Sequence, residues 1–268
     1  MTVIDDKGLV LLGCGKMGSA MLEGWLGRGL KPKSAWVIEP HPSDWLKGQG
    51  VRLNEGLPPS PAIVLIAVKP QMIGEALPAL KALGGGETLF VTVAAGTRIA
   101  TYEEVLGAAT PIVRAMPNTP AAIGRGITGA FIAGALSQTE RDLVAMLLMT
   151  TGRLEWVGGE DLIDSVTAVS GSGPAYVFYL VETLAKAGEE VGLPADLAMR
   201  LARATIEGAG ELLFQEAAIP PATLRQNVTS PGGTTAAALE HLMAEDGLQP
   251  LMTKAVKAAR ARAKALAG

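Results

Sequence analysis

Short apolar runs alternate with longer polar and mixed segments through the first half of the chain. Five of them, rich in β-branched residues and bounded by Gly or Pro, are Gly8–Leu12, Ala35–Ile38, Ile63–Val68, Leu89–Ala94 and Pro111–Ala115. Runs that are largely apolar, rather than alternating with polar residues, are typical of strands buried on both faces of a sheet. The segments between them are long enough for crossover helices, so we predict an α/β fold built on a parallel sheet.

The pattern becomes helical after about residue 158. Helical segments are predicted at Ser172–Gly192, Pro194–Phe214, Thr235–Ala244 and Leu248–Leu266. We therefore predict two domains, an α/β domain over residues 1–159 and an all-α domain over residues 160–268. The second of these helices carries apolar residues on more than one face, which is typical of a helix buried against a second chain. We expect at least a homodimer.

A Gly-rich segment joins the first predicted strand to a helix over Met17–Arg28. Its sequence is Gly13-Cys14-Gly15-Lys16-Met17-Gly18. In this setting the first Gly permits a tight turn, the second lets backbone approach a pyrophosphate, and the third lets helix and strand pack closely. The helix N-terminus then offers unpaired N–H groups to the phosphates. The segment predicts a dinucleotide site.

Glu39 follows the second predicted strand, where an acidic side chain usually binds the adenosine ribose hydroxyls of a dinucleotide. Such a carboxylate repels a 2′-phosphate and favours NADH over NADPH. His41 and Ser43 can bind a phosphate, however, and Lys47 can neutralise one. The pattern leaves NADH and NADPH both open as cofactors.

Composition excludes several classes of function. The chain is 49% hydrophobic and 18% charged, with a formal net charge of -3, which gives no electrostatic reason to expect nucleic acid or an anionic membrane as a partner. The single cysteine rules out an internal disulfide framework, and we expect it to fill space in its loop. The polar, acidic N-terminal residues differ from a secretory or transit peptide, and no apolar stretch is long enough to span a membrane. We expect a cytoplasmic protein.

Four further segments are dense in Gly, Pro, Ser and Thr. They are Ala67-Val68-Lys69-Pro70, Arg114-Ala115-Met116-Pro117-Asn118-Thr119-Pro120, Val169-Ser170-Gly171-Ser172-Gly173-Pro174-Ala175 and Ser230-Pro231-Gly232-Gly233-Thr234-Thr235. The first ends a predicted strand beside the cofactor loop, where open α/β sheets bind ligands. The last two are predicted as loops that run directly into helices, so their backbone N–H groups and hydroxyls are available to a carboxylate.

The absence of certain residue types narrows the range of reactions that the protein can catalyse. The chain has two His, at positions 41 and 241, and neither is well placed as an acid–base. β-Hydroxyacid dehydrogenases carry a Lys, with an Asn four residues on, in the helix after their Gly-rich substrate loop. Here that helix has no Lys before Lys186 and no Asn. We find no metal-ligand cluster in the sequence. Reduction of a carbonyl needs a proton donor, whereas a cyclic imine can arrive protonated.

Taken in order along the chain, the Gly-rich segment, the Ala67–Pro70 segment, the Arg114–Pro120 segment, Ser170–Tyr176 and Ser230–Thr235 closely resemble pyrroline-5-carboxylate reductase. The resemblance covers nearly the whole chain. It implies reduction of 1-pyrroline-5-carboxylate to L-proline by NAD(P)H, the final step of proline biosynthesis. It also implies an N-terminal Rossmann domain and a C-terminal helical domain that dimerises.

The resemblance also implies roles for individual residues. The cofactor contacts would be Leu12, Gly13, Cys14, Gly15, Lys16, Met17, Gly18, Asn54, Ala67, Val68, Lys69, Pro70, Ala94, Ala95 and Gly96, with Glu39 added from its position. Ser230, Gly233 and Thr234 would hold the substrate carboxylate, and Thr235 would hydrogen-bond near the ring nitrogen as the catalytic residue. A reductase for a six-membered cyclic imine acid and a non-catalytic NAD(P) sensor are the alternatives.

Overall fold

The structure is a computed structural model that describes residues 2–267. Eight strands, all within the first 156 residues, form one sheet. The strands are β1 (Leu9–Leu12), β2 (Ala35–Ile38), β3 (Arg52–Leu53), β4 (Ile63–Ile66), β5 (Leu89–Thr92), β6 (Ile112–Met116), β7 (Gly126–Ala133) and β8 (Gly152–Trp156).

Helices connect these strands and then make up most of the rest of the chain. They are α1 (Thr2–Lys7), α2 (Lys16–Gly27), α3 (Asp44–Lys47), α4 (Ile73–Ala76), α5 (Ile99–Leu106), α6 (Gln138–Leu148), α7 (Leu162–Val166), α8 (Gly173–Glu190), α9 (Ala195–Gln215), α10 (Pro221–Asn227), α11 (Thr234–Leu242) and α12 (Leu248–Leu266). Short 3₁₀ segments lie at Pro32–Ser34, Pro70–Met72, Leu77–Leu83, Thr119–Ile123 and Met149–Thr151. Within the described residues, no helix is both long and apolar enough to cross a membrane.

The strand order is β3-β2-β1-β4-β5-β6-β7-β8. Every pair is parallel except β6 and β7, which are antiparallel. The prediction of an α/β fold on a parallel sheet with a C-terminal helical part is confirmed, and the five apolar runs are strands β1, β2, β4, β5 and β6. Strands β3, β7 and β8 were not predicted from the sequence pattern.

Alternate residues of the central strands pack into two apolar clusters, one on each face of the sheet. In β1, Leu9 and Leu11 join one cluster and Val10 and Leu12 join the other. Helix α2 covers the first cluster with three buried side chains, including Trp25. The indole Nε1 of Trp25 donates to the Leu147 carbonyl at 3.0 Å, so its buried N–H is paired. This packing fixes the helix that begins at the Gly-rich loop.

The segment Val169–Ala175 differs from its prediction as a loop. A π-helical stretch, Thr167–Gly171, follows α7, and α8 starts at Gly173, so this part of the chain is almost entirely helical. The hydroxyls of Thr167 and Ser170 donate to the carbonyls of Ile163 and Val166, each four residues back. Small hydroxyl residues often favour loops and helix ends, but here their side chains bond to the preceding helical turn.

The described chain divides into two compact units. The first contains the chain up to Gly171 together with the part from Ala259 onward, and the second is Ser172–Ala258. The second unit contains α8 and α9, which pack against each other closely enough that a Cβ on Gly188 would lie 3.2 Å from the Cβ of Ala198. The domain limits of 1–159 and 160–268 remain a prediction from sequence.

Candidate functional site

A cavity of about 380 Å³ opens at the carboxyl ends of β1, β2 and β4. The chain order reverses here, because β1 is flanked by β2 on one side and by β4 on the other. Open α/β sheets bind ligands at this position. The cavity is lined by Leu12, Gly13, Gly15, Ile38, Glu39, Pro40, Ala67, Val68, Lys69, Met72, Glu75, Ala76 and Ala79. Seven of the predicted cofactor residues are among them.

The three glycines of the Gly-rich loop have different surroundings. Gly13 has φ of +88°, a left-handed conformation, and a Cβ there would lie 2.9 Å from the backbone nitrogen of Val68. A Cβ on Gly18 would collide with the carbonyl oxygen of Gly13. A Cβ on Gly15 would meet no heavy atom of the described chain within 4 Å. Gly13 and Gly18 are therefore required by the turn and its packing, whereas Gly15 faces open space.

The N-terminus of α2 fits the pyrophosphate of a dinucleotide. Gly15 is its N-cap residue, and among the described residues no side chain caps this helix. Gly15 and Lys16 are both exposed. The first N–H groups of a helix have no partner within the helix and favour an anion. The open space at Gly15 and these N–H groups are what a bound phosphate requires.

Glu39 lies directly after β2 and faces the Gly-rich loop. Its Oε2 accepts a hydrogen bond from the Cys14 backbone N–H at 2.8 Å, and its Oε1 accepts one from the His41 N–H at 3.0 Å. Two backbone donors thus hold the carboxylate in the cavity wall. Each carboxylate oxygen has further acceptor capacity. The side chain is available to the hydroxyls of an adenosine ribose.

Cys14 is buried in the Gly-rich loop. Burial, and secondarily the Glu39 carboxylate, raise the pKa of its thiol from 9.0 to about 11. A carboxylate so close disfavours a second negative charge. The thiol is therefore neutral at physiological pH, in agreement with its prediction as a space-filling residue.

Asn54, a predicted cofactor contact, bonds to the backbone of Glu39. Its Oδ1 accepts from the Glu39 N–H at 2.9 Å and its Nδ2 donates to the Glu39 carbonyl at 3.0 Å. Asn54 has φ of 55°, in the left-handed region that Asn adopts more readily than most residues. Asn54 thus fixes the end of β2, and a direct contact with the cofactor remains a prediction.

The other predicted cofactor segments lie at the same edge of the sheet. Pro70 follows Lys69 after β4, and Ala94-Ala95-Gly96 follow β5. Cys14, Lys16, Met17 and Gly18 belong to the loop and the first turn of α2. Because β5 pairs with β4, the Ala94–Gly96 loop lies on the side of the cavity away from β2 and Glu39.

The predicted substrate residues lie at the start of α11 in the second unit. Gly233 is the N-cap residue, Thr234 begins the helix and Thr235 follows it. The Gly233 N–H donates to the Ser230 carbonyl at 3.0 Å, which closes a turn. Ser230 and Thr234 are exposed and Thr235 is half-buried. Hydroxyls and helix N–H groups are thus close together in sequence and open to a ligand.

The Arg114–Pro120 segment has a structural role in the first unit. The Asn118 Nδ2 donates to the Ser170 carbonyl at 3.2 Å, and its Oδ1 accepts from the Ile127 N–H at 2.9 Å. Asn118 therefore connects the π-helical stretch to β7. A second feature of this segment, an ion cluster centred on the buried Arg114, has no signal in the local sequence pattern.

Comparison with known proteins identifies the family. Residues 160–266 match a family model described as pyrroline-5-carboxylate reductase dimerisation, and residues 8–96 match one described as NADP oxidoreductase, coenzyme F420-dependent. Pyrroline-5-carboxylate reductase from Pseudomonas aeruginosa is 35% identical over 265 residues, covering 97% of this chain and 96% of the relative. The chain belongs to the pyrroline-5-carboxylate reductase family.

Solved structures of this family share the whole fold. A pyrroline-5-carboxylate reductase from Coxiella burnetii superimposes with a TM-score of 0.91 at 34% identity, over 98% of this chain and 99% of that one. Pyrroline carboxylate reductase from Plasmodium falciparum, whose structure has NADP bound, gives a TM-score of 0.81 at 29% identity over 98% and 99% of the two chains. As a member of this family the chain is an oxidoreductase that uses NAD(P)H.

Proposed function

We propose that this protein reduces 1-pyrroline-5-carboxylate to L-proline with NAD(P)H, the last step of proline biosynthesis. The observation that carries the proposal is the open Gly15 loop at the carboxyl edge of the sheet, in a chain similar to pyrroline-5-carboxylate reductase along 97% of its length. An alignment over so much of the chain includes both the part with the Gly-rich loop and the helical part.

The first unit supplies the residues for the cofactor. The N–H groups at the start of α2 and the open face of Gly15 bind the pyrophosphate, and Glu39 binds the adenosine ribose. Lys69, exposed at the end of β4 and part of the cavity wall, orients the nicotinamide ribose. When bound, the reduced nicotinamide supplies hydride for the carbon of the substrate C=N bond. The protein's contribution is to fix the position of the ring.

The second unit supplies the residues for the substrate. Ser230, Gly233 and Thr234 hold the carboxylate at the start of α11, where helix N–H groups and hydroxyls favour an anion. Thr235 forms a hydrogen bond near the ring nitrogen. An imine that arrives protonated from solution needs only hydride at carbon, because the electron pair of the C=N π bond becomes the lone pair of the amine nitrogen. Positioning can account for roughly 7–11 kcal/mol of the barrier, so the reaction does not require a strong acid.

The direct test is oxidation of NADH that depends on the imine, followed by the absorbance of the reduced cofactor. We expect rapid turnover with 1-pyrroline-5-carboxylate and slower turnover with its six-membered homologue. Faster turnover of the six-membered ring would assign the enzyme to that substrate instead. Binding of NADH without oxidation by either imine would identify a cofactor sensor and overturn the proposal.

We further propose that NADH is preferred over NADPH. Two of the three groups that were candidates for binding a 2′-phosphate have partners within α3: the Ser43 hydroxyl accepts from the Leu46 N–H and caps that helix, and Lys47 forms an exposed ion pair with Asp44 at 2.8 Å. Glu39 meanwhile is held in the cavity wall by two backbone bonds. A 2′-phosphate would therefore meet a fixed carboxylate.

Replacing Glu39 with serine is expected to lower the KM for NADPH about tenfold and to raise the KM for NADH. A tenfold change corresponds to about 1.4 kcal/mol, a modest part of what like charges at close range cost. Steady-state kinetics with each cofactor measure both effects. Glu55→Ser, which removes an exposed carboxylate of the same first unit, is the matched control and should leave the ratio of the two KM values unchanged. A strong preference for NADPH in the unaltered enzyme would contradict the prediction.

We propose that the protein is at least a homodimer. Large apolar side chains of α8 are exposed, among them Phe178 at 62% and Tyr179 at 65%. Within the second unit, α8 and α12 also border an apolar cavity of about 590 Å³. Contiguous exposed apolar surface of this kind marks a protein interface. It falls within residues 160–266, which match the dimerisation family model.

A charge introduced on α8 should disrupt that dimer. We expect Phe178→Glu to be monomeric at concentrations where the unaltered protein is dimeric, because it places a charge in an apolar interface. Light scattering measures the mass. Ile123→Glu, at an exposed apolar residue outside residues 160–266, is the control and should remain dimeric. A monomeric unaltered protein would refute the proposal. We also propose that the protein is cytoplasmic, because its N-terminal residues are polar and acidic and its single cysteine cannot form an internal disulfide. Cell fractionation tests this location.

A further inference from the structure

An ion cluster centred on the buried Arg114, the middle residue of β6, lies in the first unit. The guanidinium of Arg114 forms an ion pair with Glu160 at 2.8 Å and lies 3.7 Å from a carboxylate oxygen of Asp164. The Arg114 side chain is 3% exposed. Removing charged groups from water costs free energy that an ion pair often does not recover. Stability alone is therefore a weak reason for this cluster.

The same oxygen of Glu160 has a second partner. Its Oε1 accepts a hydrogen bond from the backbone N–H of Ile99 at 2.9 Å. Ile99 is the first residue of α5, and the side chain of its own N-cap residue, Arg98, makes no capping bond. Glu160 therefore caps α5 from a distant position in the sequence, and the ion pair with Arg114 holds the capping oxygen in place.

Hydrogen bonds also fix the other end of the connection between β5 and α5, where β5 ends at Thr92. The Ala94 N–H donates to the Thr92 hydroxyl oxygen at 3.3 Å, and that oxygen lies 2.6 Å from the hydroxyl of the buried Tyr102. Thr92 is the register neighbour of Arg114 on the adjacent strand. Polar groups thus fix both ends of the loop 93–98: Thr92 from within the sheet, and the partly buried Glu160, paired with Arg114, from outside it.

That loop carries Ala94, Ala95 and Gly96. Glu39, after β2, marks the adenosine end of the cavity, and the strands follow in the order β2-β1-β4-β5. The loop after β5 is therefore on the nicotinamide side of the cofactor site. We propose that Glu160 and Thr92 are positioning residues for hydride transfer: they fix the loop 93–98 against which the nicotinamide lies. This inference rests on the proposed function.

The expected effect is on the reaction rather than on cofactor affinity. The Gly-rich loop and Glu39 hold the other half of the dinucleotide, so the dissociation constant of NADH should change less than about twofold. A displacement of about 1 Å at a reacting group can slow a reaction 100-fold. We expect the rate of hydride transfer to fall about tenfold or more when either end of the loop is released.

The experiment uses the full-length enzyme with Thr92→Val and Glu160→Ala as separate variants. Thr92→Val nearly preserves shape and removes the acceptor for the Ala94 N–H. Glu155→Ala, which removes an exposed carboxylate five residues from Glu160, is the control. Single-turnover rates are measured on enzyme already loaded with NADH, and NADH affinity is measured by its fluorescence. A loss of folding alone lowers the amount of loaded enzyme and leaves the single-turnover rate unchanged.

A slower single turnover at both positions, with NADH affinity retained, supports the proposal. Unchanged single-turnover rates in Thr92→Val would overturn it, and so would a loss of NADH affinity that parallels the loss of rate. If the unaltered enzyme binds NADH but transfers no hydride to the imine, the proposed function itself has failed. The unaltered enzyme therefore distinguishes the two failures.

Discussion

Gly15→Ala is expected to weaken NADH binding about 100-fold, or roughly 2.7 kcal/mol, without changing thermal stability. The backbone at this position, with φ of -70° and ψ of -160°, is accessible to alanine. The added methyl group meets no atom of the described chain within 4 Å, so the fold has no reason to change. It points into the space where the pyrophosphate must approach the helix N-terminus. Calorimetric titration with NADH and a thermal melt measure the two quantities.

Gly18→Ala is the matched control for that experiment. Its methyl group would collide with the carbonyl oxygen of Gly13, and backbone atoms cannot move aside as a side chain can. Overpacking of this kind costs about 1–3 kcal/mol, which lowers Tm by about 2–4 °C per kcal/mol in a protein of this size. Gly15→Ala with normal NADH affinity would show that the pyrophosphate binds elsewhere.

Thr235→Ala should lower kcat/KM for the imine about 100-fold, the low end of general-acid effects. The hydroxyl is proposed to orient or protonate the ring nitrogen, and the methyl group of alanine can do neither. Thr235→Ser keeps the hydroxyl and is expected to stay within a few-fold of the unaltered enzyme. Both variants should bind NADH normally, because the cofactor residues belong to the first unit.

Thr235 is half-buried in the first turn of α11, so its loss could also disturb the helix. Circular dichroism of the alanine and serine variants separates the two effects. An unchanged kcat/KM in Thr235→Ala would remove this residue from the mechanism. A similar loss in both variants would assign the effect to packing of the residue and not to its hydroxyl.

The buried strands could be predicted from sequence because their apolar runs have few explanations other than a sheet covered on both faces. Strand β7 could not. Gly126 and Gly129 interrupt its pattern, and both are there for close packing: a Cβ on Gly129 would lie 2.7 Å from a methyl group of Val166 in α7. Tertiary contact, which local sequence does not encode, selects glycine in a strand where propensity disfavours it.

In the candidate site, too, some features could be predicted from sequence and others could not. That the Gly-rich loop and Glu39 share one cavity could be predicted, because each follows a strand of the parallel sheet at its carboxyl end. The bond from Cys14 to Glu39 spans 25 residues, and the bond from Ile99 to Glu160 spans 61. Such partners depend on which strands are neighbours and could not be inferred from one sequence. Ser170 was predicted to lie in a loop, because serine is common where helices end. Instead its hydroxyl donates to the Val166 carbonyl and the helical stretch continues.

The raised pKa of Cys14 has a consequence for oxidative damage. Oxidants and alkylating agents react with the thiolate, and a pKa of about 11 leaves only about one thiol in a thousand ionised at pH 8. The thiol favours the folded state below pH 9, and that contribution fades as the pH rises through 11. A peroxide that inactivates exposed low-pKa cysteines should therefore spare Cys14 in the Gly-rich loop. Burial of the sulfur gives most of this protection, and the Glu39 carboxylate, which we propose binds the ribose, adds to it.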